Sequence, residues 1–289
     1  MTTPPTASQT ATLLVSCPDR KGLVAALGQL LYGHGVNIID ADQHTDPNAS
    51  LFFQRIRMDL RELHTDRHAF ERAVAEVADR FKMTFRITYG DKPSRVAILV
   101  SKYDHCLHDL LWRHRAGELP CEIPIIVSNH PDLAPAAAVY GIPFHCLPVE
   151  HDKAAYEAKI IELLERERID LVILARYMQI ISPELCARYH ERMINIHHSF
   201  LPAFVGGKPY HQAYERGVKI IGATAHYVTE QLDQGPIIEQ DVTRVSHRDY
   251  VADMVRKGRD LERIVLSRAV RVHLEDRVLV CGNKTVVFD

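Results

Sequence analysis

Gly90-Asp91-Lys92-Pro93-Ser94, followed by Arg95-Val96-Ala97-Ile98-Leu99-Val100-Ser101, divides the chain. The first five residues are polar and hold a glycine and a proline, which marks a break between domains. The next seven form a short apolar run that predicts a strand. Past this point the rhythm is strand, helix, strand. Further strands are expected at Ile123–Ser128, Pro143–Leu147, Leu171–Leu174 and Met193–Ile196, with helices in the gaps, most clearly Lys153–Glu167. That alternation predicts an α/β, Rossmann-like domain with a mostly parallel sheet. Lys219–Val228 and Pro236–Val242 read as extended, and a long helix covers most of Tyr250–Leu274. Arg277–Val280 and Thr285–Phe288, around Gly282-Asn283, read as a small hairpin.

Upstream of the break the pattern differs. Residues 11–17 are an apolar run, and helical spacing follows at Leu23, Val24, Leu27, Leu30 and Leu31. Val36–Thr45 and Ser50–Leu60 form two extended runs. A second amphipathic helix spans Arg67–Phe81, and Met83–Tyr89 is a final strand. The order βαββαβ is a split βαβ, ferredoxin-like unit. The expected division is residues 10–89, a linker at 90–94, and a second domain over 95–289.

The chain has 289 residues, 46% of them hydrophobic and 25% charged, as for a globular protein with a real core. Its net charge of -2, from 35 basic and 37 acidic residues, gives no reason to expect a nucleic-acid partner. The six cysteines are scattered without a C-x-x-C pair, which fits free thiols in a reducing compartment. No apolar run is long enough to span a bilayer, and residues 1–12 do not resemble a signal peptide. No membrane partner and a cytoplasmic location are expected.

The chemistry concentrates in Asn195-Ile196-His197-His198-Ser199-Phe200-Leu201-Pro202. Asn195 and His197 are two apart, so on a strand both side chains leave the same face. An amide NH2 beside an imidazole can donate to one carbonyl oxygen and stabilise charge developing there. The carboxylate partner must come from elsewhere. Asp233 lies in a loop between two expected strands and is the best candidate, although an Asp there is more often a turn former. His226 borders the site with a supporting or a catalytic role. His198 points the other way and is read as structural; His211 reads as a packing or hydrogen-bonding residue. No histidine set has zinc-like spacing, so no metal is expected. Lone Trp112 reads as core or interface. Gly206-Gly207 reads as a turn or a mobile loop over a ligand. Arg256-Lys257-Gly258-Arg259 reads as a solvated helix face, or as a site for an anionic tail or a neighbouring subunit.

The segments Asn195–Pro202, Gly222–Val228 and Leu232–Pro236 together resemble the folate-dependent formyltransferase family over about residues 95–289. That resemblance implies catalytic roles for Asn195, His197 and Asp233 on the formyl group of 10-formyltetrahydrofolate. It also implies a pterin pocket along Ala175–Ile181, with Met178, Gln179 and Ile181 as substrate contacts. The folate is then the substrate, and no cofactor is required.

Cys17–Val24 and Gly35–Ile38 resemble an ACT domain, with Asp19, Gly22, Gly35 and Asn37 shaping either an amino-acid effector pocket or a dimer interface. An ACT unit also implies a homo-oligomer, a dimer or a tetramer. The combination of the two domains, and the run Lys257–Asp260, resemble the branch of the formyltransferase family that gives the formyl group to water. Phosphate-binding members carry a glycine-rich loop after the first strand. Here Ser101–His108 holds no glycine and Asp104 would repel a phosphate. The expected reaction is hydrolysis to tetrahydrofolate and formate, balancing one-carbon pools for purine synthesis. Transfer to an amine is the alternative, and a non-catalytic amino-acid sensor is a third possibility.

Overall fold

The computed structural model describes residues 4–149, 152–203 and 209–289. Gly206-Gly207 lie outside the described residues. The chain forms two compact units.

The first unit follows the expected order: β1 (Thr10–Pro18), α1 (Leu23–Gly33), β2 (Asn37–Asp46), β3 (Leu51–Asp59), α2 (Arg67–Phe81) and β4 (Thr84–Tyr89). The antiparallel sheet runs β2-β3-β1-β4. β1 is buried along almost all its length. Leu13 and Val15 on one face pack with Leu27 and Leu31 of α1 and with Phe70 and Val74 of α2. Leu14, on the opposite face, packs with Phe53 and Phe288. Asp276–Cys281 and Val286–Asp289 therefore group with the first unit. This corrects the expectation that residues 95–289 form one continuous domain. The physical reason is a sheet face whose Leu14 and Phe53 need an apolar cover. Asp276 anchors the returning segment: its carboxylate accepts from Arg86 at 3.1 Å and Thr88 at 3.0 Å, and its carbonyl accepts from Arg55 Nε at 3.0 Å.

The proposed effector residues do not converge. Pro18 pairs with Leu51, while Asn37 pairs with Asp59. Asp19 therefore sits at one end of β3 and Asn37 at the other, about 26 Å apart at the usual strand rise. Gly22 caps the start of α1, and Gly35 follows its end. A single effector pocket built from Asp19, Gly22, Gly35 and Asn37 within one chain is excluded by this arrangement.

The second unit contains β5 (Ser94–Val100), α3 (His105–Arg115), β6 (Cys121–Ser128), α4 (Ala134–Val139), β7 (Phe144–Cys146), α5 (Lys153–Arg166), β8 (Leu171–Ala175), α6 (Pro183–Arg188), β9 (Met193–His197), α7 (Pro209–Arg216), β10 (Ile220–Tyr227), β11 (Ile237–Arg244) and α8 (Val251–Leu274). A terminal hairpin is made by β12 (Val278–Cys281) and β13 (Lys284–Val287). The seven-stranded sheet runs β11-β10-β9-β8-β5-β6-β7. β5 to β9 are parallel, whereas β10 and β11 are antiparallel. Val96–Val100 and Leu171–Ala175 are buried throughout, as central parallel strands covered on both faces require. The strand order reverses between β5 and β8, a switch point beyond whose carboxyl ends ligands bind. Trp112, 55% exposed on α3, is not a core residue.

Candidate active site

The carboxyl end of β9 places Asn195 and His197 on one face, as their spacing predicts. β10 pairs with β9 so that His226 lies opposite Asn195 and Thr224 opposite His197. His226 Nδ1 faces the Tyr227 carbonyl at 2.9 Å, so this nitrogen carries a proton. His226 Nε2 lies 3.3 Å from Asn195 Nδ2.

After β10 the chain folds back sharply. A Cβ at Gly235 would stand 1.8 Å from the Tyr227 carbonyl oxygen, so only glycine permits the return. Asp233 sits within this turn in the left-handed region, φ 57°. Its Oδ2 lies 3.2 Å from His197 Nδ1, and its Oδ1 3.6 Å from His226 Nε2. Burial raises the Asp233 pKa, but hydrogen bonds and charge from His197 and His226 outweigh it, holding the carboxyl well below its ordinary range. His197 Nε2 is buried and has no hydrogen-bond partner among the described residues.

These groups line a cavity of about 520 Å³. Met178, Gln179 and Ile181 form part of its wall, together with His211. The segment holding the first three is fixed by Ser101, whose Oγ donates to Asn129 Oδ1 at 2.7 Å and accepts from Met178 N at 3.0 Å. Elsewhere the wall contains residues that the sequence did not single out. Glu262, on the buried face of α8, is 1% exposed. It accepts from Tyr210 Oη at 2.7 Å and pairs with His105 Nε2 at 2.7 Å and Arg176 Nε at 3.4 Å. Burial raises its pKa, but His105, Arg176 and Tyr210 reverse the shift and keep the carboxyl ionised. A charged residue inside the apolar stripe of α8 was the available signal. Nothing local distinguishes Arg176 from its loop neighbours.

His105, Cys106 and Glu262 bring three possible metal donors within 4.8 Å of one another. They do not fit a cation as arranged. Both Glu262 oxygens are engaged, and burial pushes the Cys106 thiol well up, away from the thiolate a metal needs.

Residues 94–270 match the formyl transferase family, and residues 11–79 match the ACT domain. A formyltetrahydrofolate deformylase from Synechocystis is 56% identical over 96% of this chain and 98% of that protein. One from Bacillus subtilis is 50% identical over 96% and 93%. The crystal structure of a formyltetrahydrofolate deformylase from Pseudomonas syringae superposes with a TM-score of 0.95, at 50% identity over 97% of this chain and 94% of that one. A glycinamide ribonucleotide transformylase from Symbiobacterium toebii matches only 68% of this chain, with 30% identity, 95% of its own length covered and a TM-score of 0.66.

Proposed function

The chain belongs to the formyl transferase family and, within it, to the formyltetrahydrofolate deformylases, and from that premise we propose that it hydrolyses 10-formyltetrahydrofolate with Asn195, His197 and Asp233 around the reacting carbon. The observation that carries this assignment is the pairing of His197 Nδ1 with an ionised Asp233 at 3.2 Å, which leaves buried His197 Nε2 free for substrate. Asn195, held at His226 Nε2, turns its remaining amide hydrogen to the formyl oxygen. The Asp233 charge stabilises positive charge on His197, whose Nε2–H donates to the same oxygen. Asp233 also orients the attacking water. The water oxygen bonds to the formyl carbon, and one of its protons passes through the Asp233–His197 pair. The C–N bond then breaks, the departing folate nitrogen takes that proton, the formic acid formed gives its remaining proton to solvent, and formate and tetrahydrofolate result. Met178, Gln179 and Ile181 support the pterin along the cavity wall. His226 positions Asn195 by accepting its amide hydrogen at Nε2.

Water as acceptor is supported at the start of α3. The helix begins at His105 straight after Asp104, an exposed acid where a phosphate would sit. The chain between β5 and α3 has no glycine to form a backbone cradle. Incubation with 10-formyltetrahydrofolate and no amine is expected to release formate. Strict dependence on an added amine would establish the transferase reading instead. The proposal extends to a cytoplasmic homo-oligomer that returns formate and free folate to one-carbon pools for purine synthesis, with no metal in the reaction. β2, paired on one side only and largely exposed, offers an edge to a second copy. Among the described residues no helix is long and apolar enough to cross a membrane.

A further inference from the structure

Part of the cavity wall lies outside the catalytic set and the three pterin contacts proposed above: Tyr103, His105, Arg176, Tyr210, Arg259 and Glu262. Arg176 is the first residue after β8, at the ligand-binding end of the sheet. Its φ of 61° lies in a region that a long side chain adopts at a cost. The residue is 8% exposed, and its guanidinium stacks over Tyr103 at 4.9 Å from the ring centroid. Its Nε is buried and forms no hydrogen bond, although Glu262 Oε2 lies 3.4 Å away. Glu262 is the ion-pair partner at that distance, and its two oxygens also take His105 and Tyr210 at 2.7 Å. Arg176 thus makes no side-chain hydrogen bond among the described residues. A planar guanidinium that is nine-tenths buried in a cavity wall, with its Nε short of a hydrogen bond, has room for a further acceptor.

The surroundings specify the charge of that acceptor. Arg259 adds a second cation, 5.9 Å from the Tyr103 centroid, on the exposed side. Glu262 offsets one of the two positive charges, so this stretch of the wall stays cationic, while Glu230 and Asp233 line another part of the cavity. The field reaches the catalytic set, since His198, next to His197, is pushed down to about 4 by burial and by the Arg176 charge. A protonated amine would be repelled here. The reaction as proposed makes one small anion in the same cavity, and its flat carboxylate matches the guanidinium fork.

We propose that Arg176 forms a carboxylate subsite that receives formate as it leaves the reacting carbon, with Arg259 drawing it toward solvent. The subsite rests on the hydrolytic reading for the source of its ligand, but its binding can be measured without turnover. The glutamate tail of the folate carries the same chemistry and is the competing occupant.

The test uses the full-length enzyme. Carbon-13 formate is titrated without folate and its line width followed, and formate is also tested as a product inhibitor. Arg176→Gln is expected to raise the formate dissociation and inhibition constants by about tenfold or more, the usual loss for a hydrogen bond to a charged group. Arg176→Lys keeps the charge without the fork and is expected to fall between. If the glutamine variant does not fold, the lysine variant decides. KM is compared for the monoglutamate substrate and for a formylated pteroate lacking glutamate. Equal effects of the substitution on both support a formate site. A rise confined to the glutamate-bearing substrate assigns Arg176 to the tail and overturns the proposal. Unchanged formate binding in both variants overturns it too. Active hydrolysis with Arg176-independent formate binding removes the subsite alone. Arg176-dependent formate binding without acceptor-free hydrolysis keeps the subsite and removes the function.

Discussion

Asp233 keeps its charge in the cavity wall because two imidazole rings face its two oxygens. Asn195 depends on the same ring, His226, for its orientation. In the proposed reaction, replacing Asn195 by Ala removes one donor to the developing oxyanion. The expected outcome is a fall in kcat of about 10²–10³, with KM moving far less. Steady-state kinetics with an unchanged kcat would remove Asn195 from the electrophilic role. His198 gives a different test, because it titrates rather than reacts. Burial and Arg176 lower its pKa to about 4, whereas an unfolded histidine titrates near 6.5. Between those values the unfolded chain binds a proton that the folded chain refuses. The stability linked to His198 is therefore complete above about pH 6.5 and lost as pH falls to about 4. The wild-type urea midpoint is expected to fall more steeply over that range than that of His198→Gln. Parallel curves would contradict the burial argument. In sequence, the Asn195-x-His197 pair was legible because a strand repeats every two residues. Asp233 needed the resemblance, since an acid before a glycine turn has no pattern that sets it apart.

Elements were easier to read than their contacts. Val96–Val100 and Leu171–Ala175 are apolar runs that fix two central strands, and the stripe through Met254, Leu261, Val265 and Ala269 fixes the buried face of α8. What the stripe hides is Glu262 within it, because its partners come from α3, α7 and the end of β8. Gly258, one turn before Glu262, shows how closely those elements meet. A Cβ there would stand 1.9 Å from Tyr210 Oη. By helix propensity alone, Gly258→Ala would stabilise by about 1 kcal/mol. The overlap reverses the sign, since Tyr210 must move and lose its bond to Glu262. Gly258→Ala is expected to destabilise by about 1–3 kcal/mol, the range for overpacking a filled site. Urea denaturation of this variant decides which effect is larger; a stabilised protein would mean that Tyr210 yields without cost.

At the scale of the molecule, the sequence rhythm gave both fold types but missed where the chain returns. A hairpin pattern reveals its own turn, not the surface it covers. That surface is a second apolar face on a sheet already packed against two helices, and Leu14 and Phe53 mark it. Phe288, 5% exposed, fills the gap there, and its backbone N–H donates to the Arg277 carbonyl at 2.9 Å. Truncating a buried phenylalanine to alanine costs about 3–5 kcal/mol when its surroundings cannot collapse. Phe288→Ala is expected to cost about 3 kcal/mol, the low end of that range. The loss belongs to the first unit. Trp112, the single tryptophan, lies on α3 of the second. Far-ultraviolet circular dichroism reports both units, while tryptophan fluorescence reports the second. In Phe288→Ala the dichroism curve is expected to gain an earlier step in urea, with the fluorescence midpoint nearly fixed. Multi-unit chains show such separated transitions when one unit is weakened. Equal displacement of both signals would mean that the units unfold together, and no displacement would mean that the terminal segment adds nothing to the first unit.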